Sequence, residues 1–351
     1  MQTDPSRALE EELFSQRKKD HVRISLGDES QAKSDQFLRL QFEHNPLPEI
    51  DLADVSLDCD VFGHPLKSPL FVSSMTLGHE GAQSINETLM TACQQKGWMI
   101  GVGSQRRQLF DPTARKECED LRAQFPDLVI FGNIGLSQVI ASSVVAIQSL
   151  VEALRAEFLV VHTNPLQEAL QPEGTPQFRR GIESLTRLCA QLSVPVVLKE
   201  TGSGFSKQCL LALKGKGLAA VDVSGLGGTH WGRVEGLRQS PESLGFQMAQ
   251  SFADWGVSTV DSVMNAVEAD WDSCLWASGG VRSGVDAAKL ICLGAEKIGM
   301  AQPLLEAASQ SVEKLLLKME QFDQELKVSL FCLGLVDVNS LVGKRMLLRW
   351  K

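Results

Sequence analysis

Eight short apolar runs punctuate the chain, and each gives way at its C-terminal side to small or polar residues. They are FVSSMT (71–76), MIGVGS (99–104), IFGNIG (130–135), LVVHTN (159–164), VVLKETG (196–202), AVDVSG (220–225), LWASGG (275–280) and KIGMAQ (297–302). The stretches between them leave room for at least one helix each. Ile85, Leu89 and Cys93 recur at helical spacing, as do Ile147, Val151 and Leu154, and later Val312, Leu315, Leu316, Met319 and Phe322. Strands alternating with helices imply parallel pairing through crossover connections. Eight such units predict an α/β fold of the closed (β/α)8 TIM barrel type, whose strand C-terminal ends build the active-site face. Thr76, Ser104, Asn133, Asn164, Lys199, Ser224, Gly279 and Ala301 are therefore expected around one mouth, as in an enzyme.

At 351 residues the chain exceeds a bare barrel of roughly 250 residues. Residues 1–65 lack the strand-helix rhythm and contain the turn-rich HNPLPEID (44–51), so they read as an N-terminal arm or cover. Residues 66–351 read as the barrel with a C-terminal helical extension. Two long connections, 164–178 and 225–243, follow the fourth and sixth strands on the catalytic side and are candidate substrate loops and lids.

Composition narrows the class. A hydrophobic share of 43% and a net charge of -9 fit a globular protein and speak against general nucleic-acid binding. Basic residues nevertheless cluster at Arg17-Lys18-Lys19 and Arg106-Arg107. The eight cysteines form no Cys-x-x-Cys pair, which disfavours a clustered zinc site and favours reduced thiols. The start MQTDPSRALEEEL has neither a basic nor an apolar leader region, and no run is long enough to cross a bilayer, so a cytoplasmic location without membrane partners is expected.

Phosphate chemistry is written near the end. In SGGVRSGVDAAKLICLG (278–294) glycines and serine sit at a strand-to-helix junction, where backbone N–H groups and the helix dipole suit an anion. GMAQ (299–302) after the next strand completes the phosphate site that barrels build from their last two βα loops. SGLGGT (224–229) is placed to wrap the same ligand from another side. Lys199 lies inside an apolar strand and needs a partner; because Glu200 points to the opposite face, an anionic or electron-rich ligand is expected.

Taken together, RKKDH (17–21), SSMT (73–76), GVGSQR (101–106), GNIG (132–135), HTNPLQE (162–168), VVLKETG (196–202), SGLGGTHW (224–231), ASGGVRSG (277–284) and GMAQPLL (299–305) resemble the flavin-dependent, type 2 isopentenyl-diphosphate isomerase family over nearly the whole chain. The resemblance implies a barrel that interconverts isopentenyl and dimethylallyl diphosphate with reduced FMN, NADPH as reductant, magnesium on the diphosphate, and assembly as a homo-oligomer, tetramer or octamer. It further implies that Ser74, Met75, Thr76, Ser104, Asn133, Ser224 and Thr229 contact the flavin and that Lys199 lies at its N1–C2 edge. Gly279, Gly280, Arg282, Ala301 and Gln302 would hold the FMN phosphate. Arg17, Lys18 and His21 of the arm, with Ser104, Gln105 and Arg106, match the substrate clamp, a set in which guanidinium grips two oxygens and lysine adds a point charge. His162 and Asn164 match substrate contacts, Gln167 the group that orients the alkene, Glu168 the magnesium ligand, and Trp231 a wall of the prenyl pocket. Under this reading the flavin is the acid and base, and the protein positions it.

One position departs from the family pattern: Leu77 stands in MTLG where MTGG is usual, which would strain a loop needing positive φ. Two other readings compete. An FMN-dependent hydroxy-acid oxidase or dehydrogenase would need a histidine base and an arginine pair, an arrangement the histidines do not offer. A catalytically inactive flavin-binding scaffold has only Leu77 in its favour.

Overall fold

The computed structural model describes residues 16–32, 34–75 and 80–351, with the backbone alone for 80–82. Thr76 and Leu77 therefore lie outside the described residues. The eight apolar runs form eight strands: β1 Leu70–Val72, β2 Met99–Gly101, β3 Ile130–Gly135, β4 Leu159–Thr163, β5 Val196–Glu200, β6 Ala220–Asp222, β7 Cys274–Ser278 and β8 Lys297–Met300. They pair in parallel in sequence order, and β8 returns to β1, so the sheet closes into a barrel.

Alternation along the strands divides the apolar residues into two layers. Phe71, Met99, Phe131, Phe158, Val197 and Trp276 fill the barrel, while their strand neighbours, such as Leu70, Val72, Val196 and Leu198, pack outward against helices. The helical stripes fall where the spacing puts them: Leu89, Cys93, Ile147, Val151, Leu154, Leu315, Met319 and Phe322 are all buried. By the same alternation Lys199 faces inward with Val197, and Glu200 faces out. Glu200 there accepts the backbone N–H groups of Gly202, Ser203 and Gly204 and braces the loop after β5.

Two features of the ends add to the sequence reading. Residues 1–65 contain regular structure: a helix over 16–25, a strand Leu40–Phe42, and a hairpin of Cys59–Val61 with His64–Leu66. The hairpin turns at Phe62 and Gly63, both at positive φ (51° and 88°), and plugs the N-terminal end of the barrel. There the Phe62 ring lies 5.4 Å from Phe158 and 5.7 Å from Trp276. The tail is not helical throughout: after the helix Val312–Leu333 it ends in a strand, Leu348–Trp350, paired antiparallel with Leu40–Phe42. All eight cysteines carry free thiols. Among the described residues no helix is long and apolar enough to cross a membrane.

Candidate active site

The C-terminal ends of the strands surround a cavity with about 1680 Å³ of space free of protein atoms, continuous with solvent. Of the eight strand-end residues expected at one mouth, the seven that are described all line it. β1 contributes Ser73, Ser74 and Met75; Ser104 and Arg106 follow β2, and Asn133 lies in β3. His162, Asn164, Gln167 and Glu168 come from β4 and the short helix Pro165–Leu170, and Lys199 from β5. Ser224, Thr229 and Trp231 follow β6; Gly279, Gly280 and Arg282 follow β7; Ala301 and Gln302 follow β8. Arg17, Lys18 and His21 reach the same space from the arm helix.

Gln105 does not reach the mouth. It is fully buried, accepts the Asn133 N–H at 3.0 Å through Oε1, and points its amide nitrogen at Cys118 Sγ and the Leu150 carbonyl. The chain turns at Gln105 and Arg106, with Arg106 in the helical region (φ -56°, ψ -42°), and Gln105 is directed into the barrel wall, where it braces β2 against β3 away from the cavity lining.

Lys199 has a protein partner that the sequence reading missed. The parallel register sets it beside Asp222 of β6, and its Nζ donates at 2.6 Å to both Asp222 Oδ2 and Ser278 Oγ. The Ser278 hydroxyl donates in turn to Asp222, whose side chain is 1% exposed. An ammonium has three donors, so this pair leaves one for a ligand in the cavity. The expectation that Lys199 depends on a ligand for its counter-charge is thereby corrected.

Glycine geometry explains the loops after β6 and β7. Gly279 and Gly280 have φ of 102° and 77°, and a Cβ on them would stand 2.2 Å from the Gly225 carbonyl oxygen and 2.3 Å from that of Gly227. The two Gly-rich loops thus pack backbone against backbone, leaving N–H groups uncovered by side chains. Arg282 is held at their edge by Gln31 of the arm at 2.8 Å, and Gln31 also donates to Thr229 Oγ1 at 3.1 Å. Opposite, the hydroxyls of Ser73 and Ser74 are buried with no hydrogen-bond partner among the described residues. Orphaned hydroxyls, a glycine cradle and an inward ammonium fit a polar, phosphorylated ring system such as FMN.

Electrostatics separate the histidines. Burial, reinforced by the charges of Lys18 and Lys199, pulls His162 down to about 4, so it is uncharged at neutral pH; its Nδ1 lies 2.9 Å from Asn133 Oδ1. His21 is lowered by burial against the opposing hydrogen bond to Glu235, at 2.9 Å. Lys18 falls to about 8, through burial first and Arg17 second. Glu235, which sequence reading overlooked, has a side chain with no exposure and also accepts Gln167 Nε2 at 2.9 Å. Burial raises its carboxyl, yet the bonds from His21 and Gln167 and the charge of Arg238 outweigh that and hold it below the usual range. Trp231 meets His21 edge-on at 5.1 Å and walls one side of the mouth. Glu168 accepts Asn164 Nδ2 at 3.2 Å and the Thr175 N–H at 2.5 Å. Among the described residues no group of three or more His, Cys, Asp or Glu is placed to hold a metal.

Comparison with known proteins agrees with this architecture. The FMN-dependent dehydrogenase family profile matches residues 137–348, more than half of the chain. Isopentenyl-diphosphate delta-isomerase of Legionella pneumophila (strain Lens) is 44% identical over 332 residues, 94% of this chain and 97% of its own length. The enzyme of that name from Bdellovibrio bacteriovorus is also 44% identical, across 95% of this chain and 98% of its own. Among solved structures, a mandelate oxidase mutant with (S)-mandelic acid superposes with a TM-score of 0.64 at 18% identity, covering 98% of this chain and 97% of that one, a likeness of fold alone. The chain belongs to the isopentenyl-diphosphate delta-isomerase family, on the barrel of the FMN-dependent dehydrogenases.

Proposed function

We propose that this protein interconverts isopentenyl diphosphate and dimethylallyl diphosphate using reduced FMN. The observation that carries the reading is one cavity lined at once by the glycine cradle and Lys199, by the cations Arg17, Lys18 and Arg106, and by Gln167. Bound and reduced, FMN supplies a proton-exchanging nitrogen and an electron-rich face that favours positive charge on a neighbouring carbon. The chain does the positioning. Gly279, Gly280, Arg282, Ala301 and Gln302 receive the FMN phosphate, Ser74, Met75, Ser104, Asn133, Ser224 and Thr229 flank the ring, and the remaining Lys199 donor meets its polar edge.

Arg17, Lys18 and Arg106 clamp the substrate diphosphate, because a multiply charged anion rewards bidentate guanidinium contacts. Glu168 joins that diphosphate through magnesium, a cation that takes one or two carboxylates plus substrate oxygens and keeps several waters. This suits a site where Glu168 is the one carboxylate among the described lining residues. Gln167, fixed by Glu235, orients the alkene; Asn164 and uncharged His162 contact substrate, and Trp231 and His21 keep water from the prenyl end. NADPH is the proposed reductant, the cytoplasm the location, and a homo-oligomer, tetramer or octamer, the assembly. The arm, residues 1–65, and the barrel, 66–351, act as one catalytic unit.

The test is an anaerobic assay with isopentenyl diphosphate, FMN, NADPH and magnesium, each omitted in turn. Dimethylallyl diphosphate forms only in the complete mixture. Product formation without FMN, or none with all components, would overturn the reading, and oxygen consumption with 2-hydroxy acids would favour the oxidase alternative.

A further inference from the structure

The arm helix covers the mouth through a charged network whose hub lies outside the cavity. From the arm, Arg17 stands 3.8 Å from Glu173 and His21 meets Glu235 at 2.9 Å. One guanidinium grips both carboxylates from the far side: Arg238 donates Nη2 to Glu173 Oε1 at 2.7 Å and Nη1 to Glu235 Oε2 at 2.5 Å. Gln171, with its amide turned to satisfy both neighbours, donates to Glu235 at 3.1 Å and accepts from Arg17 at 3.2 Å. The loop after β4 supplies Gln167, Gln171 and Glu173, and the helix Trp231–Leu237 supplies Glu235 and ends on Arg238. Three separate segments, each with residues in the mouth wall, are thus tied at one point.

The tie is built to be strong. Arg238 is 13% exposed at its side chain and Glu235 is not exposed at all, so their contact escapes the screening that weakens surface ion pairs. Its fork spreads two separate nitrogens over two different carboxylates, a reach that the single nitrogen of lysine matches only in part. A cation at the end of the helix also meets the favourable pole of the helix dipole.

We propose that Arg238 is a positioning residue for the isomerisation: by bridging Glu173 and Glu235 it latches the helix over 16–25 onto the mouth and sets where Arg17 and Gln167 meet the substrate. This rests on the isomerase reading. Two functions separate along the two arms of the fork. The Glu173 side governs Arg17, a ground-state contact to the diphosphate; the Glu235 side governs Gln167, beside the reacting carbons.

The experiment uses the flavin-loaded full chain with Glu173→Gln, Arg238→Gln and Arg238→Lys. Backbone amide exchange over 16–25 is read without substrate, and KM and kcat are read with isopentenyl diphosphate. Glu173→Gln, at a carboxylate 40% exposed and safe for folding, raises exchange and KM by about tenfold with kcat within about twofold. Arg238→Gln raises both similarly and also lowers kcat by at least about tenfold, and Arg238→Lys recovers part of the loss. The double variant is no worse than Arg238→Gln alone, because both changes open one latch. Exchange and KM unchanged in Arg238→Gln, or effects of the two single variants that multiply fully, would overturn the proposal. If the protein turns over no isopentenyl diphosphate, amide exchange still reads the latch, so failure of the latch and failure of the isomerase reading are distinct results.

Discussion

Replacing Lys199 by methionine strands a carboxylate. Asp222 is 1% exposed and its charge is met by Lys199 Nζ at 2.6 Å, with the Ser278 hydroxyl and the Ser224 N–H as its further donors among the described residues. Breaking a buried pair by removing one partner costs about 3–5 kcal/mol, whereas removing both charges together is close to neutral. Unfolding entropy of about 2.1 cal/mol/K per residue gives roughly 0.7 kcal/mol/K for 351 residues, so the single variant should melt about 4–7 °C below the parent. Lys199→Met with Asp222→Asn should recover most of that loss. Both are measured as thermal midpoints of the flavin-free protein, so that any change in cofactor affinity does not enter. A single variant melting within about 1 °C of the parent, or a double variant no better than the single, would refute the claim that Asp222 relies on Lys199.

Gly280→Ala sets a Cβ 2.3 Å from the Gly227 carbonyl at φ 77°, so the facing loop must shift by about 1 Å. Titration of flavin-free protein with FMN, followed by quenching of flavin fluorescence, should show at least about tenfold weaker binding, and parental affinity would exclude the cradle. Lys18 is held at about 8 by burial and Arg17, so rising pH removes a cation from the mouth near that value and KM for the diphosphate should climb above pH 8. Lys18→Arg, charged throughout, should flatten the climb; an identical KM profile would remove Lys18 from the clamp. Gln105→Ala leaves the buried Asn133 N–H without its acceptor and should cost about 1–3 kcal/mol of stability with little change in KM. Arg106→Ala should do the reverse, and a KM effect confined to Gln105 would restore the sequence assignment.

Much of the barrel was legible because its signals are local. Each strand is an apolar run, each helix a stripe such as Leu89–Cys93, and a small residue at a strand end marks the mouth whatever the rest of the chain does. The phosphate cradle was legible for the same reason, since Gly279 and Gly280 announce a backbone that no side chain tolerates. Pairings across the barrel were not. Asp222 reads as one polar residue in an apolar strand, and its partner lies 23 positions away, joined only by register. Gln105 was misplaced by treating SQR as a unit, although the turn at 105–106 points it away from Ser104 and Arg106. Glu235 lies in a short helix and Arg238 caps its end, within a Gly-rich connection where no periodicity marks an inward face. The hairpin over 59–66 left only the Phe62-Gly63 turn as a clue.

That hairpin gives the cylinder an aromatic base, where Phe62 packs on Phe158 and Trp276 at the end opposite the mouth. On the proposed function, nucleotide and prenyl ligand share the cavity beneath the arm, the second to enter lying over the first. On that reading the flavin is the deeper of the two, and the short-chain diphosphate binds above it. Exchange of bound flavin for labelled FMN should accordingly slow when prenyl diphosphate saturates the cavity, and an exchange rate indifferent to it would mean that another exit exists.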